Sequence, residues 1–173
     1  MGRIIKYTGA DMDTATARKL KAFVRGEMTW AEVEGMTFQE AKAIAQVGCD
    51  LAAAGRFEEA RILFEGLVAG NPQDTAARAA LGTVYQKLGR LQDALTEYST
   101  ALERDPANPV ALVNRGELYL RRGNRQGFTD IANAVEADPQ GETAAGRRAR
   151  ALVKAIALAA VEKLQAEQGS VRA

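Results

Sequence analysis

Chemistry on a protein begins with side chains that move protons, attack carbonyls or hold metals, and this chain has few of them. Its 173 residues include no histidine, which removes the commonest general base and the commonest nitrogen ligand for zinc, copper or haem iron. The single cysteine, Cys49, has neither a histidine to activate it nor a second thiol to pair with, so a nucleophilic dyad and an internal disulfide are both out of reach. In this setting it reads as a small buried hydrophobe. No glycine-rich phosphate loop and no metal-ligand spacing occurs. The neighbouring carboxylates Glu58 and Glu59 fall on exposed helix positions, where solvation is the default. Arginines gather at Arg115, Arg121, Arg122 and Arg125, with Glu117 among them. Without interleaved aromatic residues they lack the pattern of a nucleic-acid surface and read as solvated or ion-paired charge. Catalysis, metals and cofactors are therefore not expected.

The composition points the same way. Lys and Arg number 23 against 22 Asp and Glu, so no strong field draws the molecule to nucleic acid or to an anionic membrane. No stretch reaches the length of a membrane span, and the N-terminus lacks an apolar signal core. Lys6 stands where myristoylation of Gly2 would want Ser or Thr. A lone thiol suits a reducing compartment, so a cytoplasmic location is expected, with neither nucleic acid nor membrane as partner. Aromatic residues make up only 6% of the chain, and an apolar fraction resting on Ala, Leu and Val favours packed helices over sheets.

What could position a binding surface is a repeat. Residues 75–108 form a 34-residue unit in which Leu81, Gly82, Tyr85, Gly89, Ala94, Tyr98, Ala101 and Pro106 carry a pattern. One period earlier Val47, Gly48, Leu51, Gly55, Ala60, Phe64, Leu67 and Pro72 fill the same slots. One period later come Gly116, Tyr119 and Gly123, then Gly127, Ile131, Ala134 and Pro139 one residue early, as a single-residue deletion in the turn 123–126 would produce. This register resembles the tetratricopeptide repeat. Gly48, Gly82 and Gly116 are expected to face Ala60, Ala94 and Gly127 and bring two helix axes close together. Gly55, Gly89 and Gly123 sit where a helix ends in left-handed backbone. Pro72, Pro106 and Pro139 stop each second helix, while Asn108 followed by Pro109 starts one.

The expected fold is all-α: three repeats (41–74, 75–108, 109–141, within 41–142) forming a short right-handed α-solenoid. A helix over 143–167 caps it, with Ala151, Leu152, Ala155, Ile156, Ala159, Ala160 and Leu164 at three- and four-residue steps. Its basic turn, Arg147, Arg148 and Arg150, is expected to face water, and 168–173 to fray. Residues 1–40 form an arm with a helix over 14–25 and capping boxes at 29–32 and 37–40. Trp30 there reads as an anchor on the repeats or a dimer contact.

The order of these parts, over roughly residues 26–160, resembles the class II chaperones of bacterial type III secretion, the SycD/LcrH/CesD family. Gly55-Arg56-Phe57-Glu58-Glu59-Ala60 with Phe64 and Leu67 is similar to one stretch of that family, and Leu81-Gly82 with Gln86 and Gly89 to another. The resemblance implies a cytoplasmic protein that holds a client polypeptide in a concave groove and dimerises through its N-terminal helices. The repeat fold places the groove on the first helix of each repeat: Lys42, Ala45, Cys49 and Ala52, then Ala76, Ala79, Ala80, Thr83 and Gln86, then Val110, Val113, Asn114, Glu117, Leu120 and Arg121. Its many small apolar side chains suggest an apolar trough for a peptide or an amphipathic helix. Ala45, Cys49 and Ala52 stand where that family carries aromatic residues. The same departure keeps a second role open, a structural adaptor or scaffold subunit of another machine. Ala45, Cys49, Ala80, Val110 and Asn114 also replace every residue of the clamp by which related repeats grip Hsp70 and Hsp90 tails.

Overall fold

Helices in this chain begin at side chains that cap them and end at glycines that reverse the backbone. The computed structural model describes residues 36–171 together with residues 18, 19, 21, 22 and 25. From residue 38 onward there are seven helices, and no strand occurs among the described residues. The expected helix over 14–25 lies largely outside the described residues, and the box at 29–32 and Trp30 lie wholly outside them. The chain divides into two compact units, Met1–Pro72 and Gln73–Ala173, taken here in turn.

In the first unit, α1 (Phe38–Ala53) opens on a capping box. The Thr37 hydroxyl accepts from the Glu40 N–H at 3.2 Å, and the Glu40 carboxylate accepts from the Thr37 N–H at 2.7 Å, so two donors at the helix start are satisfied reciprocally. The helix ends at Gly55, whose φ of 76° would strain any residue with a Cβ. There the Gly55 N–H donates to Ala52 O and the Arg56 N–H to Leu51 O, the two bonds of a Schellman cap. α2 (Phe57–Gly70) folds back on α1 and buries Ala60, Leu63, Phe64 and Leu67 against Ile44 and Leu51.

The second unit uses the same hairpin twice. α3 (Thr75–Lys87) is capped by Asp74 and α5 (Pro109–Arg121) by Asn108, whose side chains accept from Ala77 N–H at 2.9 Å and Ala111 N–H at 3.1 Å. α4 (Leu91–Arg104) and α6 (Gln126–Ala137) return after Gly89 and Gly123, with the same pair of turn bonds. In the third turn two residues, Asn124 and Arg125, stand between the glycine and the next helix, against one in each of the others. This turn closes by i→i−3 bonds, Gly127 N–H to Asn124 O and Phe128 N–H to Arg125 O, the tighter winding of a 3₁₀ start.

Each hairpin closes on a glycine, and the atoms nearest to it belong to a large residue of the second helix. A Cβ on Gly48 would lie 2.8 Å from the Phe64 ring, one on Gly82 2.6 Å from the Tyr98 ring, and one on Gly116 2.9 Å from Ile131 Cδ1. The glycines make room for the large residue of the second helix. Gly127 meets Gly116 as expected, with a Cβ there falling 2.5 Å from Gly116 O.

The last helix, α7 (Ala144–Val171), covers the second unit with its first part only. Ala149 is fully buried and Leu152 and Ile156 half-buried, whereas Ala151, Ala155 and every described side chain from Ala157 on are exposed. The expected apolar stripe is therefore uncovered along most of its length, and the packing of this helix is on α5 and α6. The basic turn is exposed at Arg147, Arg148 and Arg150, as expected, and it also binds main chain. Arg147 donates to Gly141 O and Glu142 O, and Arg150 to Pro139 O, capping carbonyls of the preceding loop.

That loop turns on Asp138. Its carboxylate accepts from the Thr143 N–H at 2.8 Å, the Thr143 hydroxyl at 2.7 Å and the Glu142 N–H at 2.9 Å. These donors, Thr143 foremost, hold its pKa down to about 2. A depressed carboxylate contributes its stability above the unfolded value of 3.8 and loses it as pH falls through about 2. Asp138→Asn is expected to lower the thermal midpoint at neutral pH and to flatten its fall from about pH 4 to about pH 2, as followed by circular dichroism across that range.

Candidate protein-binding surface

The residues expected to line a groove divide sharply by burial. On α1, Lys42 and Cys49 are exposed and Ala45 and Ala52 half-buried. Cys49 is thus not the buried hydrophobe its type suggested. Its thiol is pushed above the ordinary value, by partial desolvation and then by the Asp50 carboxylate, the opposite of an activated nucleophile.

In the second unit, Ala76, Val110 and Arg121 are exposed, and Ala80, Thr83, Gln86 and Leu120 are half-buried. Ala79 and Val113 belong to the core, at 2% and 1% exposure, and offer no surface to a guest. The reason is angular. Three residues along an α-helix turn about 300°, so Ala79 and Val113 lie close to the faces of Gly82 and Gly116 that meet the second helix. Asn114 and Glu117 are buried as well, and their surroundings are polar.

What the sequence reading took for an apolar trough is, between α3, α5 and α7, a ladder of hydrogen bonds. The Tyr98 ring lies over Gly82 and its hydroxyl donates to Gln86 Oε1 at 3.0 Å, 3.3 Å from Thr83 Oγ1. Thr83 donates to Ala79 O and accepts from Asn114 Nδ2 at 3.1 Å. Asn114 Oδ1 in turn accepts from Arg148 Nη1 at 3.1 Å, and Arg148 Nη2 donates to the Glu117 carboxylate. Burial, above all, pushes the Tyr98 phenol up to about 12, so it stays a neutral donor at physiological pH. Among the described residues no buried side-chain nitrogen or oxygen lacks a partner, and no group of acidic, thiol or imidazole side chains is set to hold a metal. The ladder reaches the surface through Thr83, Gln86 and Arg148, while Tyr98, Asn114 and Glu117 are buried. It holds no nucleophile paired with a base.

Sequence reasoning missed Tyr98 and Arg148 as members of this surface. Tyr98 was assigned to packing alone, and Arg148 to solvent. The signal for Arg148 was its place one repeat period, 34 residues, after Asn114.

The arginine cluster also resolves into parts. Arg115, in a slot otherwise apolar, donates from Nε and Nη2 to the two oxygens of Asp130, both at 2.8 Å, and from Nη1 to Ser99 Oγ at 3.2 Å. Its guanidinium lies 5.7 Å from the centre of the Tyr119 ring. Arg121, Arg122 and Arg125 are exposed.

Comparison with known proteins agrees with this architecture. The model of the family described as Tetratricopeptide repeat matches residues 48–109 and, overlapping, 79–142. Tetratricopeptide repeat protein 14 of Mus musculus is 43% identical over 60 residues, which are 34% of this chain. The match spans 8% of that relative's length. Among solved structures, the Yersinia enterocolitica type III secretion chaperone SycD, in complex with a peptide of the translocator YopD, superposes with a TM-score of 0.62 at 19% identity, covering 72% of this chain and 98% of that one. PcrH from Pseudomonas aeruginosa gives a TM-score of 0.64 at 23% identity, covering 73% and 98%. At such identities the likeness concerns the fold alone. No helix among the described residues is long and apolar enough to cross a membrane.

The Arg115–Asp130 pair is buried at its carboxylate and half-buried at its guanidinium, with side-chain exposures of 17% for Arg115 and 2% for Asp130. Removing one charge strands the other, which costs about 3–5 kcal/mol. Asp130→Asn is expected to show a loss of about that order in urea unfolding. Asp93→Asn, which removes the exposed carboxylate paired with Arg90, is expected to cost less than about 1 kcal/mol.

Proposed function

The chain belongs to the tetratricopeptide-repeat family, and from that premise we propose that it holds a guest polypeptide on the first helices of its repeats, as a cytoplasmic chaperone of the type III secretion kind. The observation that carries this reading is the face of α3 and α5 not used in closing their hairpins. There Ala76, Ala80, Gln86, Val110, Leu120 and Arg121 keep part or all of their surface open. Small side chains at Ala76 and Ala80 admit a backbone or a helix, and the fixed polar groups beside them supply orientation. The fold is shared with SycD over nearly the whole of that chain, and SycD was solved holding a translocator peptide. Dimerisation through the N-terminal arm, residues 1–40, belongs to the same reading.

A structural adaptor is the second reading. It is favoured by Ala45, Cys49 and Ala52, small side chains on α1 that give a hydrophobic guest little to grip. The two differ in what is bound. A chaperone retains one secreted, hydrophobic polypeptide, whereas an adaptor retains an assembly of folded subunits. Neither involves catalysis.

Both readings use the same face. In its source organism, a tagged chain carrying Ala80→Glu and Val110→Asp is expected to lose its co-purifying partner about tenfold, the equivalent of about 1.4 kcal/mol, while its far-ultraviolet circular dichroism is unchanged. Undiminished recovery of the partner by a folded variant would place binding on another face.

A further inference from the structure

The second unit contains two ion pairs of different character. Asp130 is buried and Arg115 largely covered, at 2% and 17% side-chain exposure, as expected of a pair built into packing. Arg148 and Glu117 are not matched in this way: the arginine side chain is 50% exposed and the glutamate side chain 9%. The carboxylate therefore belongs to the floor of the surface, and the cation reaches it from the solvent side. Arg148 grips with a fork, one nitrogen on Asn114 Oδ1 and another on Glu117. An ammonium lacks the planar fork that spans two such acceptors. The adjacent Ala149 is fully buried, so α7 has a packing contact apart from this arm.

A carboxylate this enclosed is costly to strand without a counter-charge. We propose that Glu117 and Asn114 form a seat for one guanidinium group, occupied in the free chain by Arg148 and in the complex by an arginine of the guest polypeptide. This rests on the guest-holding reading above and adds a chemical requirement to it: the guest segment carries an arginine that enters the third repeat beside α7. Arg148 then acts as an internal stand-in that competes with the guest and keeps the seat filled when none is bound.

The seat is testable without a known guest. In Arg148→Ala, millimolar ethylguanidinium is expected to raise the thermal midpoint by about 3 °C, with a smaller rise in the wild-type chain. Ethylammonium should give no such rise, and Arg148→Ala/Glu117→Gln should respond to neither. Arg148→Lys, which keeps the charge and loses the fork, carries the same comparison if the alanine variant is too unstable to purify. Equal responses to both cations, or an undiminished response in the double variant, would overturn the seat. A random dodecapeptide library displayed on phage then separates the two claims. Enrichment of arginine on Arg148→Ala that disappears on the double variant supports the seat as a guest subsite. Selected peptides with no such enrichment overturn that subsite and leave guest holding intact. Ethylguanidinium rescue with no peptide selected on either variant counts instead against guest holding.

Discussion

The structure depends on how closely the two helices of each hairpin approach. A large side chain on the second helix, Phe64, Tyr98 or Ile131, rests where the first helix has no Cβ, at Gly48, Gly82 or Gly116. Interiors are packed too tightly to absorb an added methyl at such a place. The glycine therefore sets the distance between the axes, and the distance sets which side chains remain outside the hairpin. In the middle repeat the same contact has a second consequence. Tyr98 alone of the three carries a hydroxyl, and the ring that closes the hairpin also delivers that hydroxyl to Gln86 and Thr83. The polar ladder starts from a residue whose first duty is packing.

From Thr83 the ladder runs through Asn114 to Arg148, crossing from the second repeat to the third and on to α7. Each rung satisfies a group that packing would otherwise strand, and an unpaired group in such a place costs more than a made bond contributes. The helices are thereby held in one register by bonds that a purely apolar stack would lack. Arg115 and Asp130 do the same on the other side of α5, tying α5 to α6 where the pattern usually has an apolar residue. The face of α3 and α5 left outside the hairpins accordingly has fixed donors and acceptors beside its small apolar side chains.

Local rules made much of this legible before any coordinates. Helix starts at Thr37, Asn108 and Pro109 and left-handed glycines at Gly55, Gly89 and Gly123 act within a few residues, and their spacing repeats. Contacts between distant residues were harder to read. Ala79 and Ala80 are alike in type, yet one is core and the other half-open, a distinction of one helical step. Gly82 was matched to the small Ala94, and that the Tyr98 ring fills the space it leaves was not read. Arg148 was assigned to solvent because its neighbours Arg147 and Arg150 are charged too. Only its distance of one period from Asn114 pointed inward. The uncovered stretch of α7 shows the limit of periodicity: apolar steps of three and four residues identify a helix but not how much of it finds a neighbour.

A photo-crosslinking amino acid separates the two faces of the second unit most directly. Ala76 and Thr96 are both exposed, the first on α3 and the second on α4, so p-benzoylphenylalanine at either position should leave folding intact. With the partner bound, irradiation is expected to yield a covalent adduct from position 76 and none from position 96. An adduct from position 96 alone would contradict the claim that the first helices of the repeats hold the guest.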